Sequence, residues 1–185
     1  MRVVGFAGYS GAGKTTLLEQ VVRLLATGGA RVAVIKHAHH RFDIDHEGKD
    51  SWRHRKAGAQ EVLVVSDIRM ALMREFLAPR EPEVHALIAE IDPATDWLLV
   101  EGFRGSDLPK IEVWRAPSPD FDARPARYPD DPQVRAICTD ATRDRLPVPT
   151  DLPLLDWTDA PAVVAWMQAH AAAFDYCPPA GASAS

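Results

Sequence analysis

Apolar and polar positions along this chain fall into blocks whose period changes. Residues 2–7 (RVVGFA) are a short apolar run ending in small residues, the pattern of a strand buried on both faces. In residues 14–27, Leu17, Leu18, Val21, Val22, Leu24 and Leu25 recur at helical spacing, and Gly28-Gly29 supplies a stop. Residues 32–35 are a second run, rich in β-branched side chains. Strand, helix and strand with short connections make a βαβ unit, which requires a parallel sheet.

The pattern then loosens. Residues 37–48 are polar and irregular, and 49–59 predict a short helix that ends near Gly58. Residues 61–66 (EVLVVS) read as a strand, with 69–76 (RMALMREF) pairing back on it. Residues 82–91 predict a helix packing through Val84, Leu87, Ile88 and Ile91. WLLV at 97–100 is a buried strand leading into Glu101-Gly102, and the alternating KIEVW at 110–114 is a further strand. A proline-rich stretch, 116–132, reads as a long surface loop. Residues 134–139 (VRAICT) and 152–155 predict two more strands. Residues 160–174 predict a closing helix, and 175–185 a disordered tail.

Composition narrows the class. The chain has 185 residues, 46% hydrophobic and 25% charged, which suits one soluble globular domain, here 1–174. Its net charge is −5, and no basic face large enough for nucleic acid stands out. No uncharged apolar run approaches the roughly 18 residues of a membrane span, and the N-terminus lacks the apolar core of a signal peptide. Two widely separated cysteines, Cys138 and Cys177, fit a reducing compartment, so the expected location is cytoplasmic.

The strongest chemical signal lies between the first strand and the first helix. Gly8-Tyr9-Ser10-Gly11-Ala12-Gly13-Lys14-Thr15 matches G-x-x-x-x-G-K-[ST], followed by Thr16. Such a loop turns successive backbone N–H groups onto phosphate oxygens, and the helix N-terminus adds its dipole. Lys14 supplies a charge at the β/γ-phosphates and the Thr15 hydroxyl suits Mg²⁺. Glu101, at the end of a predicted strand, is the acid that would complete the metal site with Thr15.

Five of the seven histidines (His37, His39, His40, His46 and His54) fall close together. Three readings stay open: a transition-metal site, recognition of an anion or pterin with Lys36, His37 and Lys49 as phosphate donors, or a solvated polar loop. Asp43 and Asp45 share one side of an extended chain and are candidates to join Thr15 and Glu101 around Mg²⁺ or to polarise the attacking water. A solvated loop is the alternative. Lys49, Arg53 and Lys56 share a helical face, for an anionic ligand, an acidic partner patch or solvent.

The chain contains no Asn, so the N-K-x-D guanine motif cannot exist here. A carboxylate can still accept from guanine N1–H and N2–H₂. Asp140, after VRAICT, is placed for this, with capping of a helix over 141–145 as the competing role.

GYSGAGKTT, the segment 35–59 (IKHAHHRFDIDHEGKDSWRHRKAGA) and LLVEGF at 98–103 resemble, in order and spacing, the MobB family. These are accessory GTP-binding proteins of molybdopterin-guanine dinucleotide biosynthesis, and the resemblance runs from about residue 3 to 166. It implies an α/β P-loop NTPase fold of the SIMIBI class, with a mostly parallel central sheet flanked by helices and a small β-hairpin extension. It also implies a homodimer, GTP and Mg²⁺ as ligands, weak hydrolysis, and a MobA-type guanylyltransferase acting on Mo-molybdopterin as partner. On this resemblance Gly8 to Thr16 are the phosphate site, Lys36 to Asp50 a loop facing nucleotide or pterin, and Glu101-Gly102 the Walker B element. The extra lysine of a related deviant loop is absent, since Tyr9 and Ser10 stand there. Two other classes remain: a metallochaperone GTPase, which the histidines allow but no thiolate motif supports, and a small-molecule kinase with Arg115, Arg124 and Arg127 as a phosphate lid.

Overall fold

A computed structural model describes residues 1–38 and 42–179. In chain order the elements are β1 (Arg2–Ala7), α1 (Lys14–Thr27), β2 (Val32–Lys36), α2 (Asp50–Lys56), β3 (Glu61–Val65), β4 (Met70–Arg74) and α3 (Val84–Ala89), then β5 (Trp97–Glu101), β6 (Lys110–Val113), β7 (Val134–Thr139), β8 (Leu154–Asp156) and α4 (Ala160–Ala169). They form two compact units, one of Met1–His37 with Val84–Ser185 and one of Ala38–Glu83. The sequence predicts a single domain with a hairpin; the hairpin and α2 together make the second unit.

In the larger unit six strands run in the order β2-β5-β1-β6-β7-β8, every neighbouring pair parallel. Helices cover both faces of such a sheet, so its strands are apolar on both sides. Val4 and Phe6 of β1 pack with Leu99, Ile111 and Val113 under Leu17, Val21 and Leu25 of α1 and Val163 and Met167 of α4. One residue along, Val3 packs on the other side with Leu98, Val100, Leu108 and the Val84 and Ile88 of α3.

Two expectations change. The alternation of KIEVW suggests a half-exposed strand, yet all four residues of β6 are buried, Lys110 and Glu112 at 1% exposure each. Burying a charge costs several kcal/mol unless it is paired or hydrogen-bonded; Lys110 is paired with Asp131, and Glu112 is bonded to backbone N–H groups while burial raises its pKa. Lys110 Nζ donates to Ser106 O (2.5 Å) and Asp131 Oδ2 (2.8 Å). Glu112 accepts from the backbone N–H groups of Arg127 (2.8 Å) and Tyr128 (2.7 Å). The closing helix is also broken: α4 ends at Ala169, and a 3₁₀ turn over Ala171–Phe174 drops Phe174 into the core.

The chain remains held beyond Phe174, where the sequence reading begins a tail. Asp175 bridges to Arg2, and the Tyr176 N–H donates to Met1 O (3.2 Å). Residues 180–185 lie outside the described residues.

In the smaller unit β3 and β4 pair antiparallel, Leu63 opposite Leu72 and Val65 opposite Met70. This is the expected hairpin.

Candidate functional site: the phosphate loop at the carboxyl edge of the sheet

A wholly parallel sheet puts every strand's carboxyl end on one edge, where ligands of open α/β sheets bind. In the larger unit that edge collects the loop after β1, Lys36 at the end of β2 and His37 after it, Glu101 at the end of β5, Asp140 after β7 and Trp157 after β8.

The loop has the form the motif requires. Gly13 caps α1 in the left-handed region (φ 91°), and a Cβ there would lie 2.8 Å from the Trp157 ring, so glycine is required twice over. Gly8 and Ala12 are buried, whereas Ser10, Gly11, Thr15 and Thr16 face solvent. The Ala12 N–H donates to Tyr9 O (3.2 Å). Lys14 Nζ donates to the same carbonyl (2.7 Å), folded back along the loop. Burial lowers the pKa of Lys14; Glu101 raises it, and Arg104 and Lys36 lower it further.

The acid chosen from the sequence meets the loop. Thr15 Oγ1 donates to Glu101 Oε1 at 3.0 Å, and Lys36 Nζ lies 3.5 Å from Glu101 Oε2. The His37 N–H donates to Glu101 O (2.9 Å), and its ring stacks on Phe103 with centroids 4.6 Å apart. Gly102 (φ 100°) permits this approach, because a Cβ would sit 2.8 Å from His37 Cβ. A hydroxyl and a carboxylate in contact are hard oxygen donors, a set that suits Mg²⁺, which keeps several waters and takes one or two carboxylates besides nucleotide phosphate.

In the smaller unit Asp43 and Asp45 meet on one guanidinium. Both grip Arg55: Nη2 donates to both Asp43 oxygens (2.9 Å each) and Nε to Asp45 Oδ2 (3.0 Å), while Nη1 donates to Glu75 Oε1 (2.6 Å). Asp45, with its side chain 6% exposed, also accepts from Ser51 Oγ (2.8 Å) and the His46 N–H (3.0 Å). Burial alone would raise its pKa, but these bonds lower it; the Asp45 N–H and Arg55 lower that of Asp43. These carboxylates fasten the loop to Arg55 of α2 and, through it, to Glu75 just after β4. Lys49 is the exposed residue before α2. His39 and His40 lie outside the described residues. Among the described residues no group of three or more His, Cys, Asp or Glu is placed to hold a metal ion. Burial pushes the Cys138 thiol up to about 12.

Asp140 does not cap a helix. The short 3₁₀ turn begins at Arg143 with Thr142 in the cap position. Asp140 Oδ1 instead accepts from the Ala116 N–H (2.9 Å) and Oδ2 from Arg115 Nε (3.2 Å). Arg115 lies over the rings of Trp157 (4.6 Å) and Phe121 (5.4 Å). A wall of Asp140, Arg115 and Trp157 thus abuts Gly13. Trp157 gave no signal in the sequence, since its meaning comes from the parallel packing of β8.

The model of one family, molybdopterin guanine dinucleotide synthesis protein B, matches residues 3–140. The chain belongs to the MobB family. It is 39% identical over 171 residues to the molybdopterin-guanine dinucleotide biosynthesis adapter protein of Escherichia coli, with 90% of this chain and 93% of that one covered. The Haemophilus influenzae protein of the same name is 43% identical over 125 residues, spanning 65% and 69%. Solved MobB structures have the same fold. The homolog from Bacillus stearothermophilus superposes with a TM-score of 0.65 at 24% identity over 92% of this chain and 97% of that one. Bacillus subtilis MobB gives 0.66 at 23% identity, covering 91% and 97%. The matched span in this MobB chain contains the phosphate loop, Glu101 and Asp140, and the wall residue Trp157 lies beyond it.

Proposed function

We propose that this chain is a GTP-binding adapter in molybdenum cofactor biosynthesis, assisting a MobA-type guanylyltransferase as it converts Mo-molybdopterin to molybdopterin guanine dinucleotide. The observation that carries the nucleotide half is the contact of Thr15 with Glu101 beside Lys14: a phosphate cradle, a metal-binding hydroxyl and an acid in one place. The cofactor half rests on the adapter proteins of the same family.

With nucleotide bound, Gly8 to Thr16 would surround the phosphates and Lys14 would leave Tyr9 O for a phosphate oxygen. Thr15 and Glu101 would hold Mg²⁺, which neutralises charge on the β- and γ-phosphates. Lys36, already on Glu101, sits at the rim as a further cation. The guanine base would lie against the Arg115–Trp157 wall, where Asp140 keeps lone pairs beyond the two it has spent. Hydrolysis would be weak, as the likeness to the MobB family implies.

A cytoplasmic homodimer fits the same reading. The outer face of the hairpin carries Leu63, Val65, Met70 and Leu72, all exposed. The test is a guanylyltransferase reconstitution with Mo-molybdopterin, GTP and Mg²⁺. Adding this chain should raise dinucleotide formation, and a Thr15→Ala chain should not. Equal stimulation by both proteins would reject the role of the site.

A further inference from the structure

Beside the phosphate loop lies a cavity of about 440 Å³ that the nucleotide reading leaves unused. Tyr9, Arg104, Ser106, Ala126, Arg127 and Asp131 are among its walls. Its volume falls within the range of small-molecule sites and far exceeds one phosphoryl group. It touches the phosphate loop only at Tyr9; Gly11 to Thr15, the part that cradles nucleotide phosphates, do not line it.

Three guanidinium groups gather at its Tyr9 wall, and two of them, Arg104 and Arg127, line the cavity. Arg127, Arg124 and Arg104 lie 5.5, 5.7 and 5.9 Å from the centroid of the Tyr9 ring. Like charges gathered this closely repel one another, and the attraction of one aromatic ring is small against that. The counter-charge is thin. Among the described residues Arg104 and Arg127 form no salt bridge, and Arg124 has only the exposed Asp122 at 3.9 Å. Asp131 is held by Lys110, Glu112 behind the wall attracts Arg127 but is bonded to two backbone N–H groups, and Asp130 is the one other acid in the wall. Arg127 Nε is buried with no hydrogen-bond partner, a cost the fold would shed on meeting an anion.

The walls are built rather than accidental. The two buried charges of β6 hold them: Lys110 ties the Ser106 turn to Asp131, and Glu112 fixes the backbone of Arg127 and Tyr128. Tyr128 is itself anchored by its hydroxyl donating to Val148 O (2.5 Å). A central strand that buries two charges to rigidify one cavity has preorganised the arginine presented there.

We infer that this cavity is a second anion subsite, in which Arg104 and Arg127, with Arg124 adding positive charge at the Tyr9 wall, hold the phosphate monoester of a second organic ligand beside the nucleotide. The inference goes beyond the adapter reading and does not depend on which nucleotide occupies the loop.

The experiment is calorimetric titration of phenyl phosphate, with phenol as the uncharged control, into the apo protein and into protein saturated with GDP and Mg²⁺. Phenyl phosphate should bind both forms and phenol neither. Arg127→Gln and Arg104→Gln should each weaken phenyl phosphate by about tenfold or more while GDP affinity and the circular dichroism spectrum stay at parent values. Absence of phenyl phosphate binding to the GDP-saturated protein overturns the inference. So does a pair of variants that weaken GTP but not GDP, because the arginines would then serve the γ-phosphate. Failure of the nucleotide reading appears separately, as an unaltered protein that does not bind GDP, and the apo titration still tests the cavity.

Discussion

Lys14 keeps its ammonium partly out of water against a single carbonyl, and its lowered pKa records the cost. Between that lowered value and 10.5 the folded chain binds fewer protons than the unfolded one, so the unliganded protein gains stability as pH rises through this window. Phosphate oxygens favour the charged form, so polyphosphate affinity should move the other way. Tripolyphosphate, which has no base to titrate, should bind more weakly before pH 10.5 is reached, with proton uptake on binding. Lys14→Ala should abolish that pH dependence and most of the GTP affinity, since each lost charge-assisted bond is worth about 1.5–3 kcal/mol. Its melting temperature should not fall. Parent-like GTP affinity in this variant would remove the phosphate-site assignment. Asp140 bears on the base. Asp140→Ala should weaken GTP more than ATP in paired titrations; equal losses would mean the carboxylate serves only to hold Arg115.

Among the elements, α4 begins on a side-chain cap. Asp159 accepts from the Ala162 N–H (2.9 Å) with Pro161 in the first turn, a complete N-terminal signal. Asp159→Ala should cost about 1 kcal/mol in urea unfolding and leave GTP binding unchanged; a loss of nucleotide affinity would show that α4 and the phosphate loop are coupled through Trp157. Elements whose meaning is local were legible in the sequence. Apolar runs marked β1, β5 and β7, the glycine spacing marked the loop, and an acid after WLLV marked Glu101. Features fixed by distant partners were not. Lys110 and Glu112 look like the polar face of an amphipathic strand until Asp131 and the Arg127 backbone arrive from another loop. Asp43 and Asp45 look like free carboxylates until Arg55, on a helix, reaches both. Arg124 and Arg127 stand out in the proline-rich loop as candidate phosphate ligands, but that Arg104 joins them at Tyr9 was not legible, because it comes from a separate loop.

At the scale of the molecule, the smaller unit is the part whose surface is hardest to reconcile with an isolated chain. A two-stranded sheet is marginal alone in water, and both of its strands are edges. On its outer face Leu63 pairs with Leu72 and Val65 with Met70, at 57%, 46%, 67% and 68% exposure. Ile68 at the turn is 87% exposed. Apolar side chains grouped in this way mark an interaction surface more often than scattered single ones do. A second copy would cover such a face by two-fold symmetry, each patch meeting its own image. Light scattering should therefore give a dimer at micromolar concentration. Replacing Leu63 and Val65 together by lysine would set like charges against each other across the two-fold axis, and should yield a monomer. GTP affinity should stay at the parent value in that monomer, because Lys14, Thr15 and Glu101 belong to the other unit. A parent protein that is monomeric at these concentrations, or a double variant that remains dimeric, would rule out this face as the contact.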